Sequence, residues 1–478
     1  MLAHKIFTIA DQTRFAALSG DFNPMHLDPI AARRTPAGAP VVHGIHTLLW
    51  LLDNIGSQPG ELGSCCTLKV RFRNMVYLGD TVVARITQAS SSRLCAQALV
   101  DGVEVVRLIA VLGPQLPAVQ APSSPLPLPL PLTSHNVPCD LTLDEMAGHS
   151  GQVPFATEPS EMERAFPGAA RMLGSRRVTA LGCSTRLVGM VVPGLHSVYV
   201  GFDLRLTAEA APDSCLQYTV TLVDPVFRRV QLTVNGGGLS GTLETFSRLP
   251  PVSQASMSSV AALVTPGEFD DAIALVVGGS RGLGELTAKL IAAGGGRVTI
   301  SYVSGKQDAD KLAAEINHSG GKCDVIAYDV HKSAGNQLES LVQPPTHIYY
   351  FATPTISRRK SGICTRERLA EFNDFYIHGF LSLVEASLAR RPEGVSVFYP
   401  STVFVHERPA EMTEYAMSKA AGEILCAEIA QYMPKVRVLT ERLPRVPTDQ
   451  TASLIPVKNA SALSVLLPII RKMQARVS

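Results

Sequence analysis

Apolar positions along the chain follow two different periods, and the change falls near residue 270. Before it, helical stretches precede runs that alternate apolar and polar residues. Val41-Val-His-Gly-Ile-His46 leads into the apolar run Thr47-Leu-Leu-Trp-Leu-Leu52, which predicts a buried helix near 44–54. Alternating runs near 66–76, 80–89, 92–101 and 103–112 then predict half-buried antiparallel strands, since successive strand side chains point to opposite faces. The order repeats further on. Thr179–Met190 reads as a buried helix stopped by Pro193-Gly194, and 197–206, 216–223 and 230–234 alternate as strands. After 270 the runs are continuous instead. Ile273-Ala-Leu-Val-Val277 predicts a strand buried on both faces, followed by a helical pattern over 285–293 and a second strand over 297–302. Val395–Tyr399 is a further buried strand, a helix starts at Glu414, and a last one covers 460–468. Strands alternating with helices predict a doubly wound parallel sheet.

Two compositional breaks separate these blocks. Residues 114–138 are Pro-rich, with prolines at alternate positions from 125 to 131. Such a stretch resists helix and central strand and favours a stiff, extended spacer, though it can also dock in an aromatic groove. Residues 250–269 begin with a Pro- and Ser-rich run and read as a second linker. The expected organisation is therefore 1–113, 139–249 and 270–478. The first two blocks are similar α+β units, and the third is α/β.

Composition narrows the classes. A chain of 478 residues is too long for one ordinary domain, and 46% hydrophobic against 18% charged residues fits filled cores. A net charge of +2 makes no whole-chain case for nucleic acid or an anionic membrane. Nine scattered cysteines with no Cys-x-x-Cys pair point to a reducing compartment and away from a zinc site or disulfide frame. No metal is expected. The first ten residues lack a basic region followed by an apolar core, and no run is long enough to span a bilayer. A cytoplasmic location is the expectation.

The densest chemistry lies in Phe15-Ala-Ala-Leu-Ser-Gly-Asp-Phe-Asn-Pro-Met-His-Leu-Asp28. Gly20 and Pro24 prevent a plain helix, so Asp21, Asn23 and His26 sit on a bent loop. Val41-Val-His-Gly-Ile-His46 then leads into the apolar helix. An acid and an imidazole can hold a water and move its protons, while an amide at a helix start can stabilise an enolate oxygen. The string resembles the MaoC-like, (R)-specific enoyl-thioester hydratases, which adopt the hot-dog fold. Arg71-Phe-Arg-Asn-Met-Val-Tyr-Leu-Gly-Asp80 also resembles that family's strand–turn–strand. The resemblance implies that Asp21 and His26 are the catalytic pair, that Asn23 orients them, and that the Gly44 amide forms an oxyanion hole. Residues 139–249 lack such a string, so they are expected to be a second, non-catalytic hot-dog unit, with His149 and His196 structural.

The third block carries Gly278-Gly-Ser-Arg-Gly-Leu-Gly284 between strand and helix. Glycines at 278, 282 and 284 let the backbone turn sharply and approach a pyrophosphate, and the helix N-terminus directs free N–H groups at it. The next strand ends at Ser301-Tyr302 with no acid before Asp308. An acid there would repel a 2′-phosphate, so its absence, with Arg281 and Lys306 nearby, favours NADP(H). Tyr415 and Lys419 share a helix face, an arrangement in which an ammonium lowers a phenol's pKa and readies it to protonate a carbonyl receiving hydride. A hydroxyl from Ser401 or Thr402 would hold that carbonyl. Residues 270–478 resemble the short-chain dehydrogenase/reductase family, which implies a Rossmann-type sheet. It also implies cofactor contacts at Gly278, Ser280, Arg281, Gly282, Leu283, Gly284, Ser301, Asp329 and Lys419. Tyr350-Phe-Ala-Thr-Pro354 and Tyr376 depart from that family's pattern.

Together the resemblances imply a bifunctional acyl-thioester dehydratase–ketoreductase on acyl-CoA or an acyl carrier protein, working in fatty-acid- or polyketide-like biosynthesis. Two alternatives stand beside it: enoyl-CoA hydration with 3-hydroxyacyl-CoA oxidation, as in β-oxidation, and a dehydratase with a non-catalytic reductase-like module. Arg33, Arg34, Arg71, Arg73, Arg176 and Arg177 are candidate contacts for CoA phosphates or an acidic carrier, against the ordinary reading of most of them as solvated surface. Both fold types commonly pair, so a homodimer is expected.

Overall fold

The computed structural model describes residues 2–59, 64–113, 137–207, 214–356, 362–451 and 459–474. The Pro-rich stretch thus lies almost wholly outside the described residues. The chain divides into two units, one ending at Pro250 and the other beginning at Pro251.

In the first unit the acid–histidine string is shaped by a succession of caps. Helix α1 (Ile9–Ser19) starts at a Thr8–Asp11 capping box and ends at Gly20, whose φ of 77° favours glycine. Asn23 caps the short turn Pro24–Leu27, where Pro24 fills a first-turn position that needs no N–H, and Asp28 caps Pro29–Ala32 in the same way. Helix α2 (Gly44–Gly56) is buried on nearly every side.

The strands are β1 (Ala3–Ile6), β2 (Cys65–Phe72), β3 (Thr81–Ala89), β4 (Arg93–Val100) and β5 (Val103–Leu112), then β6 (Ser150–Pro154), β7 (Ser197–Leu206), β8 (Cys215–Asp224), β9 (Arg229–Gly236) and β10 (Leu239–Ser247). They form one ten-stranded sheet in the order β1-β3-β4-β5-β2-β7-β10-β9-β8-β6. Read outward from the β2–β7 pair, both halves have the same order. Each half also places its long buried helix between its first two strands; in the second half this is α3 (Ser175–Arg186). The blocks expected as separate units therefore share one sheet, continuous from Thr67–Arg205 to Arg71–Gly201. The helix over Pro167–Leu173 packs on α2 so closely that a Cβ on Gly168 would lie 2.0 Å from the Asp53 carbonyl oxygen.

In the second unit, β11 (Ile273–Val277), β12 (Arg297–Tyr302), β13 (Lys322–Ala327), β14 (His347–Tyr350), β15 (Val395–Thr402) and β16 (Val436–Leu443) form a parallel sheet in the order β13-β12-β11-β14-β15-β16. Helix α4 (Gly282–Ala293) follows β11, and helix α5 (Thr413–Tyr432) follows β15. Residues 250–269, expected as a linker, are partly folded onto this unit. Met257–Ala261 is helical, Met257 and Val260 are buried in its core, and Lys289 donates to the Ala255 carbonyl. Their apolar positions supply the reason. Among the described residues no helix is long and apolar enough to cross a membrane.

Candidate active sites

In the first unit Asp21 and Asn23 are buried and His26 is half-buried. The Asn23 amide N–H donates to Asp21 Oδ1 at 3.1 Å. Asn23 Nδ2 donates to the Gly189 carbonyl at 2.9 Å and the Gly194 carbonyl at 3.2 Å, which ties the loop to the second half of the unit. His26 Nδ1 donates to the Val41 carbonyl at 2.8 Å, leaving Nε2 as an acceptor. Burial pushes the Asp21 carboxyl above the ordinary carboxylate range, opposed first by His26 and then by hydrogen bonds from Thr185 and Asn23. Burial pushes His26 below the ordinary imidazole value, opposed by Asp21.

His43, which directly precedes Gly44, completes the cluster, although no role was read for it from sequence. Its amide N–H donates to Gln12 Oε1 at 3.1 Å, so that oxygen must also accept from ring Nδ1, 2.8 Å away. Gln12 Nε2 in turn faces His46 Nδ1 at 3.1 Å. His43 Nε2 lies 3.2 Å from the Asp21 carbonyl oxygen and 3.9 Å from its carboxylate. Burial and the neighbouring imidazoles push His43 well below the ordinary histidine range.

Asp21, His26 and His43 bring ligand-type atoms within 4.8 Å of one another. The two imidazoles are stacked, with centroids 3.8 Å apart and planes at 26°. Gly44 opens α2, where the first amides have no intrahelical partner.

Two further residues come from the second half. Thr185 Oγ1 donates to Asp21 Oδ2 at 2.7 Å. Gly189, in the π-helical turn Leu187–Val191, leaves no room for a side chain beside Asp21. No local pattern points to either, because only the folded sheet brings them to residue 21. His149 meets the Tyr218 hydroxyl at 3.1 Å and His196 meets Asp140 at 3.2 Å. Arg71 pairs with Asp203 at 3.2 Å, and the buried Arg177 donates to the Leu173 carbonyl at 2.8 Å, so both guanidinium groups are engaged within the fold.

In the second unit the glycine loop makes a tight cradle. Gly278 has φ 75°, Gly282 has φ 60°, and a Cβ on Gly284 would lie 2.4 Å from the Gly278 carbonyl oxygen. Ser280, Arg281 and Leu283 are half-buried between these turns. Ser301 is buried and accepts from the Gly278 N–H at 3.1 Å, so it helps to hold the loop's shape. Arg281 pairs with Asp449 at 3.0 Å and Lys306 with Asp310 at 2.7 Å. Asp329 accepts from the His331 N–H at 3.1 Å.

Around Tyr415 the two candidate hydroxyls separate. Thr402 is the hydroxyl that acts on the Tyr415 phenol, whereas Ser401 donates to Glu423, itself held by Arg442. The Ser401 hydroxyl is thus engaged by Glu423 and not by Tyr415. Burial pushes the Tyr415 phenol up to about 12, and Thr402 is the group that opposes the rise. Lys419 is turned inward: Nζ donates to the Pro400 carbonyl at 2.6 Å and lies 3.9 Å from the Tyr376 ring centroid. Burial brings that ammonium down to about 7. The expected lowering of the phenol by Lys419 is thus not the dominant effect here. Tyr376 lies in a second π-helical turn, Asp374–His378, and its hydroxyl meets Thr353.

Comparison with known proteins follows the same division. Residues 4–106 match the MaoC like domain and residues 272–346 match the short chain dehydrogenase family. The (R)-specific enoyl-CoA hydratase of Aeromonas caviae is 39% identical over 83 residues, 17% of this chain and 62% of that enzyme. The peroxisomal hydratase-dehydrogenase-epimerase of Saccharomyces cerevisiae is 37% identical over 87 residues, 18% of this chain and 9% of that protein. The 3-oxoacyl-[acyl-carrier-protein] reductase of Synechocystis is 33% identical over 97 residues, 20% of this chain and 37% of that enzyme. The chain thus spans less than two thirds of each of these relatives.

Proposed function

Because a MaoC-like domain and a short-chain-dehydrogenase domain lie on one chain, we propose that this protein interconverts 2-enoyl, (R)-3-hydroxyacyl and 3-oxoacyl thioesters at two separate sites. The observation that carries the reading is the meeting of Asp21 and His26 beside the amide-bearing start of α2. Of the directions expected from sequence, hydration of an enoyl-CoA followed by oxidation has the better support. The Aeromonas relative is named for hydration of an enoyl-CoA, and the yeast relative couples hydratase to dehydrogenase. The reductive, carrier-bound direction is the second reading, favoured by the Synechocystis relative. The first unit is read as a double hot-dog, 1–113 and 139–249 joined by the 114–138 spacer.

In hydration the water oxygen bonds to C3 and a proton is added to C2. Asp21 and His26 hold the water, one member of the pair takes its proton, and the pair returns one to carbon, so no net proton is consumed. The Gly44 amide faces the thioester oxygen as it gains enolate charge.

At the second site the close-packed glycine loop and the start of α4 fit a dinucleotide pyrophosphate, since a Cβ at Gly284 would fill the cradle. NADP(H) is the proposed cofactor; when bound, its nicotinamide supplies or accepts the hydride. The end of β12 carries no acid before Asp308, which fits a 2′-phosphate. Tyr415 exchanges a proton with the C3 oxygen, Thr402 holds that oxygen, and Lys419, while protonated, places a positive charge behind the phenol.

Asp21→Asn and His26→Ala should each lower hydration of a short 2-enoyl-CoA by at least about a hundredfold while leaving the fold intact by circular dichroism. Wild-type rates in both variants would refute the first site.

A further inference from the structure

The second half of the first unit has no acid–amide–imidazole string, yet it reaches the site. We infer that Thr185 is a positioning residue for the reaction at Asp21, and that Gly189 is a glycine because the same carboxylate occupies the space its side chain would need. The inference rests on the hydratase reading above and assigns part of that site to the half without the motif.

Two independent observations carry it. Thr185, on the last turn of α3, is buried, and its hydroxyl donates to Asp21 Oδ2 at 2.7 Å. Gly189, four residues on, lies where a Cβ would meet Asp21 Oδ1 at 2.4 Å and Cγ at 2.7 Å. Its carbonyl also accepts from Asn23 Nδ2 at 2.9 Å. The change from α3 to the π-helical turn Leu187–Val191 lies between them. Such turns insert a residue into the helical repeat and recur at functional sites. Here the turn brings a hydroxyl, a bare Cα and a carbonyl to the same loop.

The choice of a hydroxyl has a chemical reason. Oδ1 already accepts the Asn23 amide, so Thr185 fixes the other oxygen and with it the plane of the carboxylate. Burial raises the Asp21 pKa, and the Thr185 hydrogen bond lowers it. A neutral donor favours the ionised carboxylate without cancelling its charge, as a lysine or arginine would. The titratable groups that face Asp21 are His26 and His43. Arg186, next along α3, instead directs its guanidinium to the Pro154 carbonyl at 2.8 Å. The carboxylate must be ionised to act with His26. Loss of the hydroxyl therefore moves the acid limb of the hydration pH profile to higher pH.

The test uses the full chain with Thr185→Val, which keeps the shape and removes the donor, and Thr185→Ser, which keeps the donor. Hydration of a short 2-enoyl-CoA by Thr185→Val should lose about tenfold or more in kcat with little change in KM, and its acid limb should move up. Thr185→Ser should restore both. Gly189→Ala should lose activity through steric displacement of Asp21. An unchanged kcat and acid limb in Thr185→Val would overturn the inference. So would a Thr185→Ser variant as impaired as Thr185→Val, since the methyl group would then be what matters. Asp21→Asn separates this from the underlying reading: if that variant is inactive while Thr185→Val is normal, only the positioning role fails.

Discussion

Lys419 and Tyr415, the pair proposed for proton exchange at the second site, differ in a way their spacing alone does not reveal. The ammonium lies against the Tyr376 and Tyr399 rings, and burial brings it down to about 7. The phenol is pushed up to about 12. Above about pH 7 Lys419 loses its charge in the folded protein, so assistance to the phenol is present at lower pH and lost as pH rises through that value. Reduction of a 3-oxoacyl thioester should fall across that range, with hydration measured in parallel free of this transition. A flat turnover profile from pH 6 to 9 would contradict the assignment. The four-residue spacing was legible because it is local. The choice of Thr402 over Ser401 was not, because it depends on Glu423, 22 residues beyond Ser401 and brought back beside it by α5.

At the level of elements, punctuation residues carried the most information. Gly20, Asn23-Pro24 and Asp28-Pro29 stop and restart short helices at the positions their backbone preferences dictate. Strand β10 and the helix Pro167–Leu173 are not legible in the sequence, since Gly-rich or mixed sequences are held there by neighbours instead of by period. Gly168 shows this dependence. Gly168→Ala should destabilise the first unit by about 1–3 kcal/mol, because its Cβ would be forced against the α2 backbone. A denaturant midpoint equal to wild type would contradict the close helix contact. In the second unit, Arg281 is held by Asp449 in the short turn after β16. Asp449→Asn should release that arginine and strengthen NADPH binding relative to NADH in calorimetry, and Arg281→Ala should weaken NADPH alone. Equal changes for both cofactors would remove Arg281 from the 2′-phosphate site.

On the scale of the whole molecule, the parallel sheet of the second unit followed from continuous apolar runs separated by helices, and its strand order is the one expected of a doubly wound fold. The likeness between residues 1–113 and 139–249 was also visible as a repeated order of helix then strands. Their union in one ten-stranded sheet was not, because the β2–β7 pairing joins residues more than a hundred apart. That union is what lets a motif-free half supply Thr185 to Asp21. The two proposed chemistries on this chain share a 3-hydroxyacyl thioester. This sharing is tested most directly by giving the wild-type protein a short 2-enoyl-CoA and NADP⁺ and following both the 3-hydroxyacyl product and the reduced cofactor. Both should form in wild type, neither in Asp21→Asn, and the 3-hydroxyacyl thioester alone in Tyr415→Phe. Mixing the two variants should restore reduced cofactor. Reduced cofactor from Asp21→Asn alone, or none from wild type supplied directly with an (R)-3-hydroxyacyl-CoA, would contradict the claim.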